Sequence, residues 1–421
     1  MQRREFIKLV SATAALMVLP SCATTGKNKG RVVVVGGGYA GATAAKYVRM
    51  WAPNIEVVLV ERNAEFISCP MSNRVLAGML SVKDLTSRYD KLGSKYGVRV
   101  VQDEVTAVDA DKRTLTLARG DTLSYDRMIV APGIDFMFDA IPGLNNADAQ
   151  EKVLHAWKAG AQTTALRKQL ESMADGGVYA LTIPKAPFRC PPGPYERACQ
   201  VASYFKQHKP KSKVLILDAN EDIVSKKGLF TKAWKDLYPG MVEYRGNSEL
   251  VDVDVKTLTA KLQFEDVKAN VLNVVPPQKA GKIAASAGLI TTNNRWCGVD
   301  FLSFESLAHR NIHVLGDAIL AAPLMPKSGH MANQHAKVCA AAVVALMNGG
   351  QVNPDPMIAN TCYSFVNDNE AMHVASIHKY DAEKKTLVTV QGSGGLSSAP
   401  SQMEGMYAQA WAKNIWADML E

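Results

Sequence analysis

Residues 31–61 read RVVVVGGGYAGATAAKYVRMWAPNIEVVLVE. The apolar run Arg31 to Val35 leads into Gly36-Gly37-Gly38-Tyr39-Ala40-Gly41, an alanine-rich segment from Ala42 to Met50 has helical character, and a second apolar run, Ile55 to Val60, ends in Glu61. Strand, tight turn, helix and strand in that order make a dinucleotide-binding unit. Gly36 permits the turn, and Gly38 lets the backbone approach a pyrophosphate. Gly41 lets the helix pack on the strand with its N-terminal N–H groups facing the phosphates. Glu61 stands twenty positions after Gly41, where a carboxylate takes the hydroxyl pair of an adenosine ribose. A glycine triplet alone occurs in many turns; the flanking strands and the acid complete the unit.

A second unit of the same shape follows. Gly177 to Pro184 reads as a strand, Glu196 to His208 as a helix, and Val214 to Asp218 as another strand ending in an acid. Between the first strand and the helix lies PKAPFRCPPGPYERA, residues 184–198. Pro184, Pro187, Pro191, Pro192 and Pro194 carry no backbone N–H, so this loop cannot cradle a pyrophosphate, and no NAD is expected there. Cys190 sits in the middle of it, either as a structural cysteine or as a reactive one.

The chain has 421 residues, 47% of them hydrophobic, enough for two or three globular domains with substantial cores. Arg3-Arg4-Glu5-Phe6-Ile7-Lys8 precedes an apolar run from Leu9 to Leu19, too short to span a bilayer, and small residues follow at Ser21-Cys22-Ala23. The paired arginines predict a twin-arginine export signal over residues 1–29, and hence a periplasmic protein folded before export. An ordinary secretory signal is the alternative, and Cys22 also offers a lipidation site and a membrane tether. Residues 1–29 carry a net +4, so half of the formal +8 belongs to that segment. No Lys/Arg run interleaved with aromatics points to nucleic acid.

Of the seven cysteines, Cys22 belongs to the leader region, leaving Cys69, Cys190, Cys199, Cys297, Cys339 and Cys362. Cys199 and Cys339 fall within helical segments and read as core; Cys297 has no evident partner. Disulfide connectivity does not follow from spacing. The sequence contains no C-x-x-C-H, so no c-type haem is expected on this chain. Cys69 lies eight residues past Glu61, where a chain leaving the second strand passes the ring system of a bound FAD. A thiol there could attack the 8α-methyl carbon and become a thioether, or remain an unbonded cysteine near the flavin, or serve as half of a redox pair.

Tyr125 to Gly133 is the strand and turn by which two-domain flavoproteins leave an FAD domain, with Pro132 where Thr is usual. Ile312-His-Val-Leu-Gly-Asp317 is the strand of return, its carboxylate placed for a flavin ribitol. Pro326 to Asn333 then opens a helix reaching Leu346, whose N-terminus would stabilise negative charge on a reduced ring. Together these match the disulfide-reductase-like flavoproteins. The expected fold is α/β, with two Rossmann-like domains and a C-terminal α+β interface domain. The expected boundaries are 30–143 with 285–350 for FAD, 144–284 for the degenerate second unit, and 351–421 for the C-terminal domain.

Within that class the chain resembles the flavoprotein subunit of flavocytochrome c sulfide dehydrogenase over its whole mature length. The motifs that carry the resemblance are Arg31 to Tyr47, Cys69-Pro-Met-Ser-Asn73, His155-Ala-Trp-Lys-Ala-Gly160, Phe188 to Ala198, Val275-Pro-Pro-Gln278, Pro326-Lys-Ser-Gly329 and Asn360-Thr-Cys-Tyr-Ser364. The resemblance implies FAD linked through a thioether at Cys69, although Pro70 stands where an aromatic is common. It also implies a redox-active disulfide between Cys190 and Cys362, which hydrosulfide would open to a persulfide and a free thiolate. Glu196 is then either the proton acceptor or a carboxylate that complements the helix dipole. Trp411 would cover the flavin, or else belong to the core or an interface. The cofactor-binding set is Gly36, Gly38, Gly41, Glu61, Arg62, Cys69, Asp317, Lys327, Ser328, Gly329 and Trp411. With neither an NAD loop nor a haem, the electrons are expected to leave to a c-type cytochrome subunit in a heterodimer. Two other readings compete: a sulfide:quinone oxidoreductase, for which the mildly amphipathic Ala408 to Leu420 would meet the membrane, and a non-catalytic flavin-bearing scaffold.

Overall fold

The computed structural model describes residues 29–421. The export, lipidation and membrane-tether readings rest on Arg3, Arg4 and Cys22, which lie outside the described residues.

The first sheet grows from the valine run. Arg31–Val35 pairs in parallel with Glu56–Glu61 on one side and Arg127–Val130 on the other, so Val33 stands level with Val58 and Met128. Arg99–Gln102 closes one edge, and Ile312–Val314 continues the other in parallel. Two short antiparallel strands, Val299–Asp300 and Glu305–Ser306, complete seven. Residues Val32 to Val34 and Val58 to Leu59 are fully buried, as expected for strands covered on both faces. Helices Tyr39–Trp51 and Gly329–Met347 pack together on this sheet. The helix after the glycine turn starts three residues earlier than the composition of Ala42 to Met50 suggests, because Gly38 and not a polar residue forms its N-cap.

The second sheet has four parallel strands in the order Val242–Arg245, Lys213–Asp218, Val178–Ile183 and Val271–Val274. Its helix runs from Gly193 to His208, not from Glu196. Pro194 is tolerated in the first turn, where the missing N–H would have had no partner in any case.

The C-terminal segment forms an antiparallel sheet of Met357–Phe365, Ala371–Asp381 and Thr386–Thr389, followed by helix Gln402–Leu420. That helix packs back toward the first unit: Tyr47 donates to Asp418 Oδ1 at 2.6 Å, and Lys46 Nζ donates to the Asp418 carbonyl at 2.7 Å. Met419 and Leu420 join the first sheet's core. The C-terminal helix is therefore fixed against helix Tyr39–Trp51.

Candidate active site

A cavity of about 430 Å³ opens where the three sheets meet. At one end lies the glycine turn. Gly36, at φ +97°, donates its N–H to the Val60 carbonyl at 2.9 Å, which ties the turn to the next strand. Gly41 does not line the cavity. It sits beneath the turn, where an added Cβ would fall 1.7 Å from the Gly36 carbonyl oxygen, so no side chain can be accommodated. Gly38 faces open space, with nothing within 4 Å of an added Cβ, and no side chain caps helix Tyr39–Trp51. Glu61 accepts from the Gly37 N–H at 2.6 Å and from the Asn63 N–H at 2.8 Å, which hold its carboxylate at the cavity wall. Arg62 lies at the rim, exposed and 3.5 Å from Glu104. An uncapped helix start behind an open glycine, with a fixed carboxylate beside it, fits the pyrophosphate and ribose of a dinucleotide.

Toward the middle of the cavity stand Asp317, Lys327, Ser328 and Gly329. Lys327 Nζ donates to the carbonyls of Asp317 at 2.9 Å and Ile319 at 2.5 Å, and lies 3.7 Å from the Trp296 ring centroid. Burial pushes this lysine down to about 8. Burial raises the Asp317 carboxyl above the usual range, against the pull of Arg189 and Lys327. Ser328 caps helix Gly329–Met347 by accepting from the Met331 N–H at 3.0 Å, and its hydroxyl donates to Asn360 Oδ1 at 2.6 Å. Trp411 lines the cavity, half-buried, with its ring centroid 5.9 Å from His330 and 6.4 Å from Tyr363. Cys69 is on the wall too: the Ala159 N–H lies 3.4 Å and Arg189 Nη2 3.2 Å from its sulfur.

Cys190 and Cys362 come to the same cavity from the second and third sheets. Cys190 adopts φ +57°, an uncommon conformation for a side-chain-bearing residue, fixed by its N–H to the Lys327 carbonyl at 2.7 Å and by the Gly193 N–H to its own carbonyl at 2.8 Å. An added Cβ at Gly193 would fall 2.8 Å from the Cys190 sulfur, so the helix can begin there only as glycine. Cys362 lies on strand Met357–Phe365, with Asn360 Nδ2 3.4 Å from its sulfur. Both are thiols in this structure. Burial raises each, and for Cys190 the neighbouring Cys362 and Glu196 add to the rise. Glu196, in the first turn of Gly193–His208, accepts from Asn73 Nδ2 at 2.8 Å and from the Phe365 N–H at 2.9 Å. Burial lifts its carboxyl above the ordinary value.

Every residue of the expected site except Gly41 therefore borders one cavity, and Gly41 shapes it from below. Arg189, Asn73, Asn360 and Lys226 belong to its surroundings and were not singled out from sequence. The first three lie inside motifs quoted there, each within four residues of Cys69, Cys190 or Cys362. Lys226, in Ser225-Lys-Lys-Gly228, reads as a solvent lysine and gave no signal. Cys199, Cys297 and Cys339 are fully buried core residues, Cys199 taking an N–H from Trp234 at 3.2 Å.

Three family models match the chain. One describes the central part of the flavoprotein chain of flavocytochrome c sulfide dehydrogenase, over residues 163–276. The second is flavocytochrome c sulphide dehydrogenase, flavin-binding, over residues 354–420, and the third is pyridine nucleotide-disulphide oxidoreductase, over residues 30–179. The flavoprotein chain of sulfide dehydrogenase (flavocytochrome c) from Chlorobaculum thiosulfatiphilum is 58% identical over 45 residues, 11% of this chain and 94% of that sequence. A mitochondrial sulfide:quinone oxidoreductase from Dictyostelium discoideum is 24% identical over 302 residues, 69% of this chain and 66% of that protein, so the match spans just under two thirds of its length. The sulfide:quinone oxidoreductase structure from Aquifex aeolicus superposes with a TM-score of 0.73 at 18% identity, covering 92% of this chain and 91% of that one. That likeness bears out the α/β fold of the disulfide-reductase-like flavoproteins.

Proposed function

The chain belongs to the family of flavocytochrome c sulfide dehydrogenase flavoprotein chains, and we propose that it oxidises hydrosulfide at a Cys190–Cys362 disulfide and delivers the electrons to a c-type cytochrome subunit. The observation that carries this reading is the convergence of Cys190, Cys362 and Glu196 on a cavity whose other end fits a dinucleotide.

FAD, when bound, supplies a two-electron acceptor that can be reoxidised one electron at a time. Glu61, the Gly36–Gly38 turn, Asp317 and Lys327 to Gly329 would hold it, with Cys69 as the point of covalent attachment and Trp411 as a cover. The chain's own chemistry is thiol–disulfide exchange. Hydrosulfide brings an electron pair to one cysteine sulfur; a new S–S bond forms as the Cys190–Cys362 bond breaks, giving a cysteine persulfide and a thiolate on the other residue. Arg189 and Lys226 pull Cys190, and Lys226 pulls Cys362, toward the thiolate against the effect of burial. Glu196 would take the proton that hydrosulfide retains on the persulfide. In the second unit, Asp218 accepts from the hydroxyls of Tyr195 at 2.7 Å and Tyr244 at 3.2 Å and from the Asn220 N–H at 2.9 Å. A carboxylate so engaged, behind a proline loop, supports an enzyme that does not take electrons from NAD. Export through residues 1–29 would place the reaction in the periplasm.

A second acceptor, quinone, is favoured by one observation. Met403, Met406 and Tyr407 are exposed on helix Gln402–Leu420, with Tyr407 one turn before Trp411. Among the described residues no helix is long and apolar enough to cross a membrane.

The test is anaerobic titration of the purified protein with sulfide while following the flavin spectrum, then reoxidation by a c-type cytochrome or by a soluble quinone. Bleaching with cytochrome reoxidation supports the proposal. Reoxidation by quinone alone moves the assignment to the second reading, and no bleaching leaves a flavin-bearing scaffold.

A further inference from the structure

Lys226 stands between strand Lys213–Asp218 and helix Lys227–Leu237 and is 5% exposed. Its backbone lies at φ +55°, a conformation a lysine holds only where its surroundings over-determine it. Those surroundings are three acceptors. Nζ donates to the Cys362 carbonyl at 2.8 Å, to Ser364 Oγ at 2.9 Å and to the Met372 carbonyl at 3.3 Å, which uses all three hydrogens of the ammonium. The side chain thus crosses from the second unit, which carries Cys190, to the antiparallel sheet that carries Cys362. The charged and titratable groups facing it are Cys362, Glu196, Cys190 and Glu404.

We propose that Lys226 is a positioning residue for the cysteine pair: its ammonium fixes the Cys362 strand against the unit that carries Cys190 and provides the positive charge beside which Cys362 becomes a thiolate. This rests on Cys190 and Cys362 being the redox pair. Burial pushes the lysine down to about 8, opposed by the negative charge of Cys362, Glu196 and Cys190 when they are ionised, and the ammonium is lost as pH rises above about 8. A thiolate next to a cation forms at lower pH and reacts faster at a given pH than the same thiol without one.

The experiment uses the full-length, flavin-loaded protein after disulfide reduction. Iodoacetamide alkylation is followed across pH, with Cys362 quantified by peptide mass spectrometry in wild type, Lys226→Met and Lys226→Arg. Lys226→Met is expected to slow alkylation of Cys362 about tenfold at pH 7 and to move its profile up by about one pH unit, while Lys226→Arg stays within about threefold of wild type. A Met variant with the wild-type profile overturns the proposal, as does an Arg variant slowed as much as the Met variant, since charge would then play no part. Where Lys226→Met fails to fold by circular dichroism, Lys226→Gln replaces it with the same expected slowing, because it keeps two donors without the charge. The underlying reading is checked separately by non-reducing peptide mapping of the oxidised wild type. Absence of a Cys190–Cys362 disulfide removes the pair and the role of Lys226 together, whereas an intact disulfide with unshifted alkylation overturns Lys226 alone.

Discussion

Glu196→Gln separates a proton acceptor from a carboxylate that only complements its helix. The two oxygens of Glu196 have different partners: Phe365 N–H at 2.9 Å on one, Asn73 Nδ2 at 2.8 Å on the other. Asn73 cannot rotate its amide to suit a glutamine, because its Oδ1 accepts from Arg197 Nε at 3.0 Å. One donor therefore loses its acceptor in the variant. Asn73 Nδ2 keeps a second bond to the Gly193 carbonyl at 3.1 Å, and the cost of burying a carboxylate is relieved, so the net loss of stability is about 1 kcal/mol. Catalysis should suffer far more. Removing a positioned proton acceptor lowers the rate about 10²-fold or more, or at least about 2.7 kcal/mol in the barrier. Because burial raises the carboxyl, protonated Glu196 persists to higher pH than a free glutamate would. The wild-type rate of sulfide-dependent flavin reduction should fall as pH drops through that raised value, and this limb should be missing in the variant. Stopped-flow bleaching at matched total sulfide, taken as the variant-to-wild-type ratio at each pH, cancels the ionisation of sulfide itself. A variant within threefold of wild type at every pH would refute the assignment and leave Glu196 as a structural carboxylate.

Four further outcomes follow from the same geometry. Cys190→Ser and Cys362→Ser should each retain flavin yet lose sulfide-dependent bleaching by at least about a thousandfold, as partners in one bond do; bleaching that survives in either places the chemistry elsewhere. Cys69→Ala should release its flavin into the supernatant after acid precipitation while wild type keeps it on the polypeptide, a difference visible by fluorescence. NADH and NADPH should leave the flavin spectrum unchanged under anaerobic conditions in which sulfide bleaches it. Asp218→Ala removes the acceptor of the Tyr195 and Tyr244 hydroxyls and of two Asn220 donors, although the Tyr195 oxygen still accepts from the Val224 N–H, and should cost about 3 kcal/mol in denaturant unfolding.

The parts of the site that sequence reveals are those made within a short stretch of chain. The glycine turn and Glu61 lie inside thirty-one residues, and each has a local reason for its identity, such as the 1.7 Å clearance at Gly41. Helix Gly193–His208 begins three residues before Glu196 because Pro194 is well placed in a first turn. Cys362 could be joined to Cys190 only through family likeness, since nothing in spacing brings a strand of the C-terminal sheet to a loop of the second unit. Lys226 had no local signature at all. Its burial is a consequence of where strand Met357–Phe365 docks, and that is decided by contacts such as Tyr238 OH to the Val366 carbonyl at 2.5 Å and Gln200 Nε2 to the Asn367 carbonyl at 3.1 Å.

On the proposed function, the second unit turns a nucleotide-binding scaffold to thiol chemistry without changing its sheet. In the first unit, the loop after strand Arg31–Val35 is glycine and leaves the helix uncapped, and the Gly37 and Asn63 N–H groups hold Glu61 at the cavity wall. In the second, the loop after Val178–Ile183 is built of prolines, and the helix start is filled by Cys190, whose sulfur an added Cβ at Gly193 would approach to 2.8 Å. The acid at the end of the next strand is drawn inward by two tyrosines. The same N-terminal helix turn that would have met a phosphate instead presents Glu196, and Asn73 from the first unit and the Phe365 N–H from the third sheet hold it there. A carboxylate held by groups from two other units cannot be set by its own helix alone, so the geometry at Cys190 depends on how all three units dock. That dependence gives Lys226 its importance: it is a charged side chain of the second unit that ends on the backbone of the Cys362 strand.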